Sequence, residues 1–187
     1  MIGLVEGLGD AKSIPHLLAK AGKQVHVECI DMGGKSNIVR QNQGFEDTIK
    51  RQVSLGKTKF FILLDADTYF NPYTTFADES AGMQARVQSM QQDIKGMTID
   101  LFWAKRNYES WIIGGLQPGD QFCGISRRIR AVPGDTQAAP ADPKTWLMNF
   151  LHKNRYGSTM QACLTKSMSI QLGRQRNHSL RQFLDFF

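Results

Sequence analysis

The chain has 187 residues, of which 41% are hydrophobic and 21% are charged, and its formal net charge is +6. These values are typical of a globular protein with one hydrophobic core, and they exclude a disordered, collagen-like or coiled-coil chain. No apolar run approaches the roughly 18 residues that a membrane-spanning helix needs, so we expect no membrane association.

The first predicted elements are a strand and a helix. Residues 2–5 form a short apolar run that predicts a strand, and no secretory signal peptide is evident around it, which favours a cytoplasmic protein. A glycine-rich turn follows over residues 6–10, where Asp10 can cap the next helix. Apolar residues at helical spacing then predict a helix that ends at Gly22.

Two further strands and a helix follow. Residues 25–30 predict a second strand, which ends at Asp31. A helix is predicted over 36–54 with Ser36 as its cap. Residues 59–64 give the strongest strand pattern, because their continuous apolar character suits a central parallel strand that is covered on both faces.

The rest of the chain predicts one more strand and mostly helices. A long helix is expected over 75–95, a fourth strand over 98–104, and a short buried helix around Trp111. Gly, Pro, Asp and Gln accumulate over 115–145 and predict a loop-rich connection. Three short helices are then expected, over 143–153, 157–170 and 178–187.

Strands that alternate with helices predict an α/β, Rossmann-like fold of about four mostly parallel strands flanked by helices, with a helical C-terminal extension. We therefore divide the chain into an α/β catalytic core, 1–114, and a segment that packs on it, 115–187. In such sheets ligands bind beyond the carboxyl ends of the strands.

Acidic residues fall at these strand ends. Glu6 follows the first strand, Asp65 and Asp67 follow the third, and Asp10 lies across the glycine turn. Converging carboxylates repel one another, and a hard divalent cation such as Mg²⁺ relieves that repulsion. The alternative is that Asp10 only caps a helix and Asp67 only forms a turn. Asp31 could also face this site, although a turn carboxylate is the simpler interpretation.

Positive charge is concentrated in the second part of the chain. Residues 1–104 carry a net charge of −1, whereas residues 105–187 carry +7. This distribution suits a polyanion partner, and a solvated basic face is the alternative. The candidates for phosphate-backbone contacts in this half are Arg127, Arg128, Arg130, Arg174, Arg176 and Arg181.

Lys35 is a further candidate phosphate contact. It follows two glycines, but the P-loop pattern would need glycine at the position of Cys29, so a nucleotide P-loop is not expected. A plain solvated loop is the alternative. Cys29, Cys123 and Cys163 form neither a zinc pattern nor a disulfide framework, and we expect buried thiols.

The ordered set of acidic motifs resembles the Toprim domain. The motifs are Glu6-Gly7-x-x-Asp10 after a first strand and Asp65-x-Asp67 after an apolar strand. The resemblance is strongest to the OLD-like nucleases and to small stand-alone Toprim-like proteins of bacteria and phages. In those proteins an element like residues 107–111 follows the fourth strand. The resemblance covers residues 1–114 well and the remainder loosely.

The resemblance implies roles for individual residues. Glu6 would bind metal or act as a general acid/base, and Asp65 and Asp67 would be metal ligands. Asp10 and Glu109 would serve a second metal or an outer shell. Lys105 or Arg106 would stabilise charge in the transition state, and Arg106 would also contact nucleic acid.

These features predict a Mg²⁺-dependent or Mn²⁺-dependent nuclease or phosphotransfer enzyme that acts on DNA or RNA, in anti-phage defence or DNA repair. The chain is too short to include an ATPase domain, so ATP-driven activity would need a separate ATPase chain. The alternatives are a non-catalytic Toprim module that binds nucleic acid or a partner, and an enzyme acting on a small phosphorylated molecule.

Overall fold

A computed structural model of the chain describes residues 1–40, 44–66, 75–119, 123, 131–151 and 156–187. None of the helices in these ranges has both the length and the apolar character needed to cross a bilayer. The elements in chain order are β1 (Ile2–Val5), α1 (Leu8–Lys20), β2 (Glu28–Asp31), α2 (Lys35–Val39), α3 (Phe45–Ser54), β3 (Lys59–Asp65), α4 (Phe76–Asp93), β4 (Thr98–Ala104), α5 (Tyr108–Gly115), α6 (Pro143–Leu151), α7 (Ser158–Ser167), α8 (Ile170–Arg176) and α9 (His178–Phe186).

The four strands form one parallel sheet in the order β2-β1-β3-β4. Val5 at the end of β1 lies opposite Asp31 of β2 and Leu63 of β3. The three strands therefore end at the same edge of the sheet. This architecture confirms the predicted α/β, Rossmann-like fold of four parallel strands with helices on both faces.

Alternate residues of the strands supply two separate hydrophobic cores. Val5 and Phe61 point into the first, which α1, α5, α7 and α9 cover. Leu4 and Ile62 point into the second, which α3 and α4 cover. The period of two along each strand produces this division, since successive side chains point to opposite faces.

The C-terminal helices complete the first core. Phe183 of α9 is buried, and its ring centroid lies 5.6 Å from that of Phe61 and 5.2 Å from that of Trp111. Residues from both parts of the chain therefore share one cluster, and the C-terminal segment packs on the sheet.

Several predicted boundaries differ from the structure. Gly7, with extended backbone, is the N-cap of α1, so Asp10 is not the cap but accepts the Gly7 N–H from the third helical position. The helix predicted over 36–54 is two helices, α2 and α3, and Ser36 lies inside α2 rather than capping it. The helix predicted over 157–170 ends at Ser167, and α8 follows as a separate helix.

The prediction for the cysteines was wrong for two of the three. Cys123 and Cys163 form a disulfide, with their Cα atoms 5.9 Å apart, although 40 positions separate them in the chain. Spacing alone could not reveal this pair, because the tertiary fold brings the two together. Cys29 is a thiol whose pKa rises to about 12, chiefly through burial and further through the charges of Asp10 and Glu28.

Candidate functional site

The carboxyl edge of the sheet holds a cleft of about 500 Å³ that is rich in carboxylates. We call it the acidic cleft. One lysine, Lys144, also lines it. The acidic residues that line it are Glu6, Asp10, Asp31, Asp65 and Glu109.

Glu6 and Asp65 are held by a relay of hydrogen bonds between elements. Glu6 follows β1, and its Oε1 atom accepts the backbone N–H of Asp65 at 2.7 Å. Asp65 ends β3, and its Oδ1 atom accepts the backbone N–H of Tyr108 at 3.0 Å. Tyr108 opens α5, whose N-terminal N–H groups lack partners within the helix. The two carboxylates therefore fix the relative positions of β1, β3 and α5.

Asp10 is held by hydrogen bonds on both oxygens. Its Oδ2 atom accepts the Gly7 N–H at 3.2 Å, and its Oδ1 atom accepts the side-chain amide of Gln161 at 2.7 Å. Gln161 lies on α7 and reaches Asp10 because Gly9 has no side chain: a Cβ there would lie 2.0 Å from the Gln161 Oε1 atom. The close packing of α1 and α7 thus builds one wall of the acidic cleft.

Burial raises the pKa of Asp10 to about 6, and the negative charge of Asp31 adds to this effect. The hydrogen bonds from Gln161 and Gly7 and the charge of Lys144 act in the opposite direction. Asp31 also accepts the N–H of Gly33 at 2.8 Å, so it is both a turn carboxylate and part of the cleft.

Glu109 reaches the acidic cleft from the first turn of α5, where it is 7% exposed. Tyr156 lines the cleft as well, and its pKa is raised by burial and then by the charge of Glu109. The Tyr156 hydroxyl oxygen is buried and has no hydrogen-bond partner within the part of the chain that the structure describes.

Lys35 does not line the acidic cleft. It is 8% exposed, and its Nζ atom lies 2.9 Å from Glu79 Oε2 and 5.2 Å from the centroid of the Trp103 ring. The solvated loop does not describe this position, because the side chain is buried. The predicted phosphate contact stays a prediction. Lys35 forms a buried ion pair between α2 and α4.

Two of the predicted nucleic-acid contacts have structural hydrogen bonds. The Arg106 guanidinium donates to the backbone carbonyl groups of Gln137, Ala138 and Ala141, each at 2.8 Å. Arg176 donates to the carbonyl oxygen of Leu116 at 2.8 Å, at the end of α5. Both guanidinium groups bind backbone carbonyl groups, and neither residue lines the acidic cleft.

The other predicted residues lie elsewhere. Arg174 pairs with Asp185 on the surface. Lys105 is exposed and lines a second pocket beside the acidic cleft. The predictions for Asp67, Arg127, Arg128 and Arg130 fall outside the described residues.

We tested whether the acidic cleft suits a divalent cation. Its oxygen-only donor set is the type that Mg²⁺ prefers. Within the described ranges, however, no three His, Cys, Asp or Glu side chains are grouped closely enough to hold a metal ion. The donor type fits Mg²⁺, and the described carboxylates do not by themselves complete a coordination site.

Comparisons of the chain with protein-family models, with curated proteins and with solved structures find no match.

Sequence reasoning missed several residues of the acidic cleft, among them the polar side chains of Lys144, Tyr156 and Gln161. All three come from the C-terminal segment, and Gln161 is 151 positions from its partner Asp10. No local motif marks them, because their roles depend on how α6 and α7 pack against the sheet.

The raised pKa of Asp10 predicts a pH-dependent stability. Between pH 3.8 and about 6 the folded protein retains a proton that the unfolded chain has released. The stabilising contribution of Asp10 to the free energy of unfolding is therefore fully present below pH 3.8 and is lost as the pH rises through about 6. We expect Asp10→Asn, measured by urea unfolding in EDTA, to become more stable relative to the native protein across this window.

The matched control for this measurement is Asp93→Asn, which changes an exposed carboxylate at the end of α4. It should show no such trend. A constant difference between Asp10→Asn and the native protein from pH 4 to pH 7 would contradict the prediction.

Proposed function

We propose that the protein is a Mg²⁺-dependent nuclease, or a related phosphotransfer enzyme, that acts on nucleic acid. One observation carries the proposal: five carboxylates line a single cleft at the carboxyl ends of parallel strands. Ligands of open α/β sheets bind at this edge. The resemblance of the acidic motifs to the Toprim domain supports the same chemistry.

The described candidates for metal ligands are Glu6, Asp10, Asp65 and Glu109, of which no three are grouped closely enough to share one ion. The proposed metal would therefore need a further ligand, and Asp67, which lies outside the described residues, is the candidate. A bound Mg²⁺ would neutralise phosphate charge and help to activate water. The carboxylates of this cleft would otherwise repel an anionic substrate, so the cation is needed for phosphate to enter.

Lys144 supplies positive charge to the lining of the acidic cleft. It is exposed in the first turn of α6, and it lines the acidic cleft beside the carboxylates. Its ammonium group can contact a phosphate oxygen of the substrate. The net charge of +7 over residues 105–187 supports a polyanionic substrate of this kind.

The decisive variant is Asp65→Asn. The amide oxygen of asparagine can still accept the Tyr108 N–H, so the hydrogen bond between β3 and α5 is retained while the negative charge is lost. We expect cleavage of single-stranded DNA, single-stranded RNA or supercoiled plasmid with Mg²⁺ or Mn²⁺ to fall at least about 100-fold.

Asp93→Asn is again the matched control, because it removes a carboxylate near the opposite edge of the sheet, where β4 begins. It should retain the native rate. Equal cleavage by Asp65→Asn and the native protein would contradict the proposal.

A second candidate is a non-catalytic module that binds nucleic acid or a partner. The observation in its favour is that Glu6 and Asp65 each already accept a backbone N–H group of another element, and that Asp10 accepts the side-chain amide of Gln161 on α7. Nucleic-acid binding with no turnover of any DNA or RNA, together with a loss of stability in Glu6→Ala but no loss of nucleic-acid binding, would favour it.

A further inference from the structure

A second pocket, of about 620 Å³, lies beside the acidic cleft. We call it the Trp103 pocket. The two share one stretch of chain, since Asp65 lines the cleft and the next residue, Ala66, lines the pocket. The pocket opens between the starts of α4 and α9 at the end of β4. Its volume falls within the range of small-molecule sites.

Two aromatic rings form one wall of the Trp103 pocket. The rings of Phe76 and Trp103 meet edge to face with centroids 5.0 Å apart. Phe76 is 37% exposed at the first position of α4. The capping box of Thr75 and Asp78 holds this helix start, so the ring is presented by a fixed backbone.

The choice of tryptophan at position 103 is not explained by internal hydrogen bonding. Its indole N–H is buried and has no acceptor within the described part of the chain. Such a donor costs about 1–3 kcal/mol of stability, a cost that phenylalanine would avoid. The Lys35 ammonium group, which pairs with Glu79, lies over the ring, 5.2 Å from its centroid. A large, immobilised ring that carries a stability cost suggests a binding role.

The polar lining divides into groups used by the fold and groups directed at the pocket. Arg106 binds three backbone carbonyl groups, and the Ser179 hydroxyl bonds to the Lys105 N–H, the Trp111 indole and Asn177. Both are therefore occupied in holding the turn after β4.

The exposed polar residues of the lining are Lys105, His178 and Gln182. No acidic side chain of the described ranges forms an ion pair with Lys105. The described lining therefore combines two aromatic rings, a lysine that pairs with no acidic side chain of the described ranges, and the amide of Gln182, which can donate and accept hydrogen bonds.

We propose that the Trp103 pocket binds one nucleotide unit, with its base against Phe76 and Trp103 and its phosphate at Lys105. Aromatic rings stack on bases regardless of sequence, and a lysine acts as a point charge for phosphate. Gln182 is suited to the polar edge of a base. The proposal deepens the proposed function, because it seats a nucleotide next to the strand segment in the acidic cleft.

The test measures binding with EDTA present and with Asp65→Asn protein, so that metal and cleavage play no part. The probes are 5′-AMP, inorganic phosphate and a single-stranded 12-mer DNA, each titrated by calorimetry. We expect Phe76→Ala and Lys105→Gln each to weaken the binding of 5′-AMP or of the 12-mer at least about fivefold.

Matched controls are Phe186→Ala and Lys57→Gln. Phe186 is 39% exposed, close to the value for Phe76, and Lys57 is exposed before β3 at the opposite edge of the sheet. Both should bind as the native protein does. If the 12-mer binds more tightly than 5′-AMP, the pocket binds a nucleotide within a nucleic-acid strand. If 5′-AMP binds more tightly, the pocket binds a free nucleotide. Either result supports the proposal.

Two results would overturn it. The first is no binding of either nucleotide probe; the second is binding of phosphate as tight as that of 5′-AMP with no effect of Phe76→Ala. Because the assay excludes metal and turnover, its failure would leave the nuclease proposal standing. Conversely, a protein that never cleaves nucleic acid could still pass this test.

Discussion

Replacing Lys35 by methionine is expected to lower the free energy of unfolding by about 3–5 kcal/mol. Lys35 and Glu79 form an ion pair in which each side chain is only 8% exposed. Methionine fills a similar volume but leaves the Glu79 carboxylate buried without its cation. The cost arises from that uncompensated charge rather than from lost packing.

The double variant Lys35→Met/Glu79→Leu separates these two effects. Because both charges are removed together, its stability should recover to within about 1–2 kcal/mol of the native value. Urea unfolding of the three proteins at pH 7 measures the coupling. If Lys35→Met alone were as stable as the native protein, the buried ion pair would be refuted, and the role of Lys35 as a phosphate contact would regain support.

Replacing Gly115 by alanine is the second large expected effect, with a loss of about 3 kcal/mol. Gly115 ends α5 and accepts the Ser169 N–H at 2.7 Å. An added Cβ would lie 2.7 Å from the Met168 Cβ atom and 2.8 Å from the Ser169 carbonyl oxygen. These neighbours cannot turn aside as a long side chain could, so the turn between α7 and α8 would have to move.

The control is Gly82→Ala in the exposed part of α4, where no atom lies within 4 Å of an added Cβ. Alanine there should stabilise the protein by about 0.5–1 kcal/mol, because glycine weakens a helix interior. In thermal unfolding, Gly115→Ala should lower the Tm by about 6–12 °C, whereas Gly82→Ala should raise it slightly. Changes of the same sign would contradict the assigned packing of α5 on the turn before α8.

The contact at Gly115 bears on function as well as on stability. α5 carries Glu109, and α7 carries Gln161, which holds Asp10. The turn between α7 and α8 therefore contacts the end of α5, and α5 and α7 both carry residues that line the acidic cleft.

Much of the fold follows from local patterns in the sequence. The apolar run of β3 and the alternation of strands with helices predicted the parallel sheet, because burial on both faces requires continuous apolar residues. The positions of Glu6 and Asp65 at strand ends followed in turn, since the ends of parallel strands meet at one edge. The N-cap of a helix was less predictable. Gly7 rather than Asp10 caps α1, because a glycine with extended backbone can begin a helix without a side-chain hydrogen bond.

The sequence by itself therefore determined the α/β architecture and the acidic edge of the sheet. Only the tertiary structure decided which other side chains meet that edge. Lys144 of α6, Gln161 of α7 and Tyr156, just before α7, line the acidic cleft from the C-terminal segment. Lys35 forms a buried ion pair elsewhere, and Arg106 binds backbone carbonyl groups. The physical reason is the distance along the chain over which each feature is set. Hydrophobic periodicity shows which face of an element is buried and depends on neighbouring residues only. The partner of a polar side chain depends on how elements far apart in the sequence pack together.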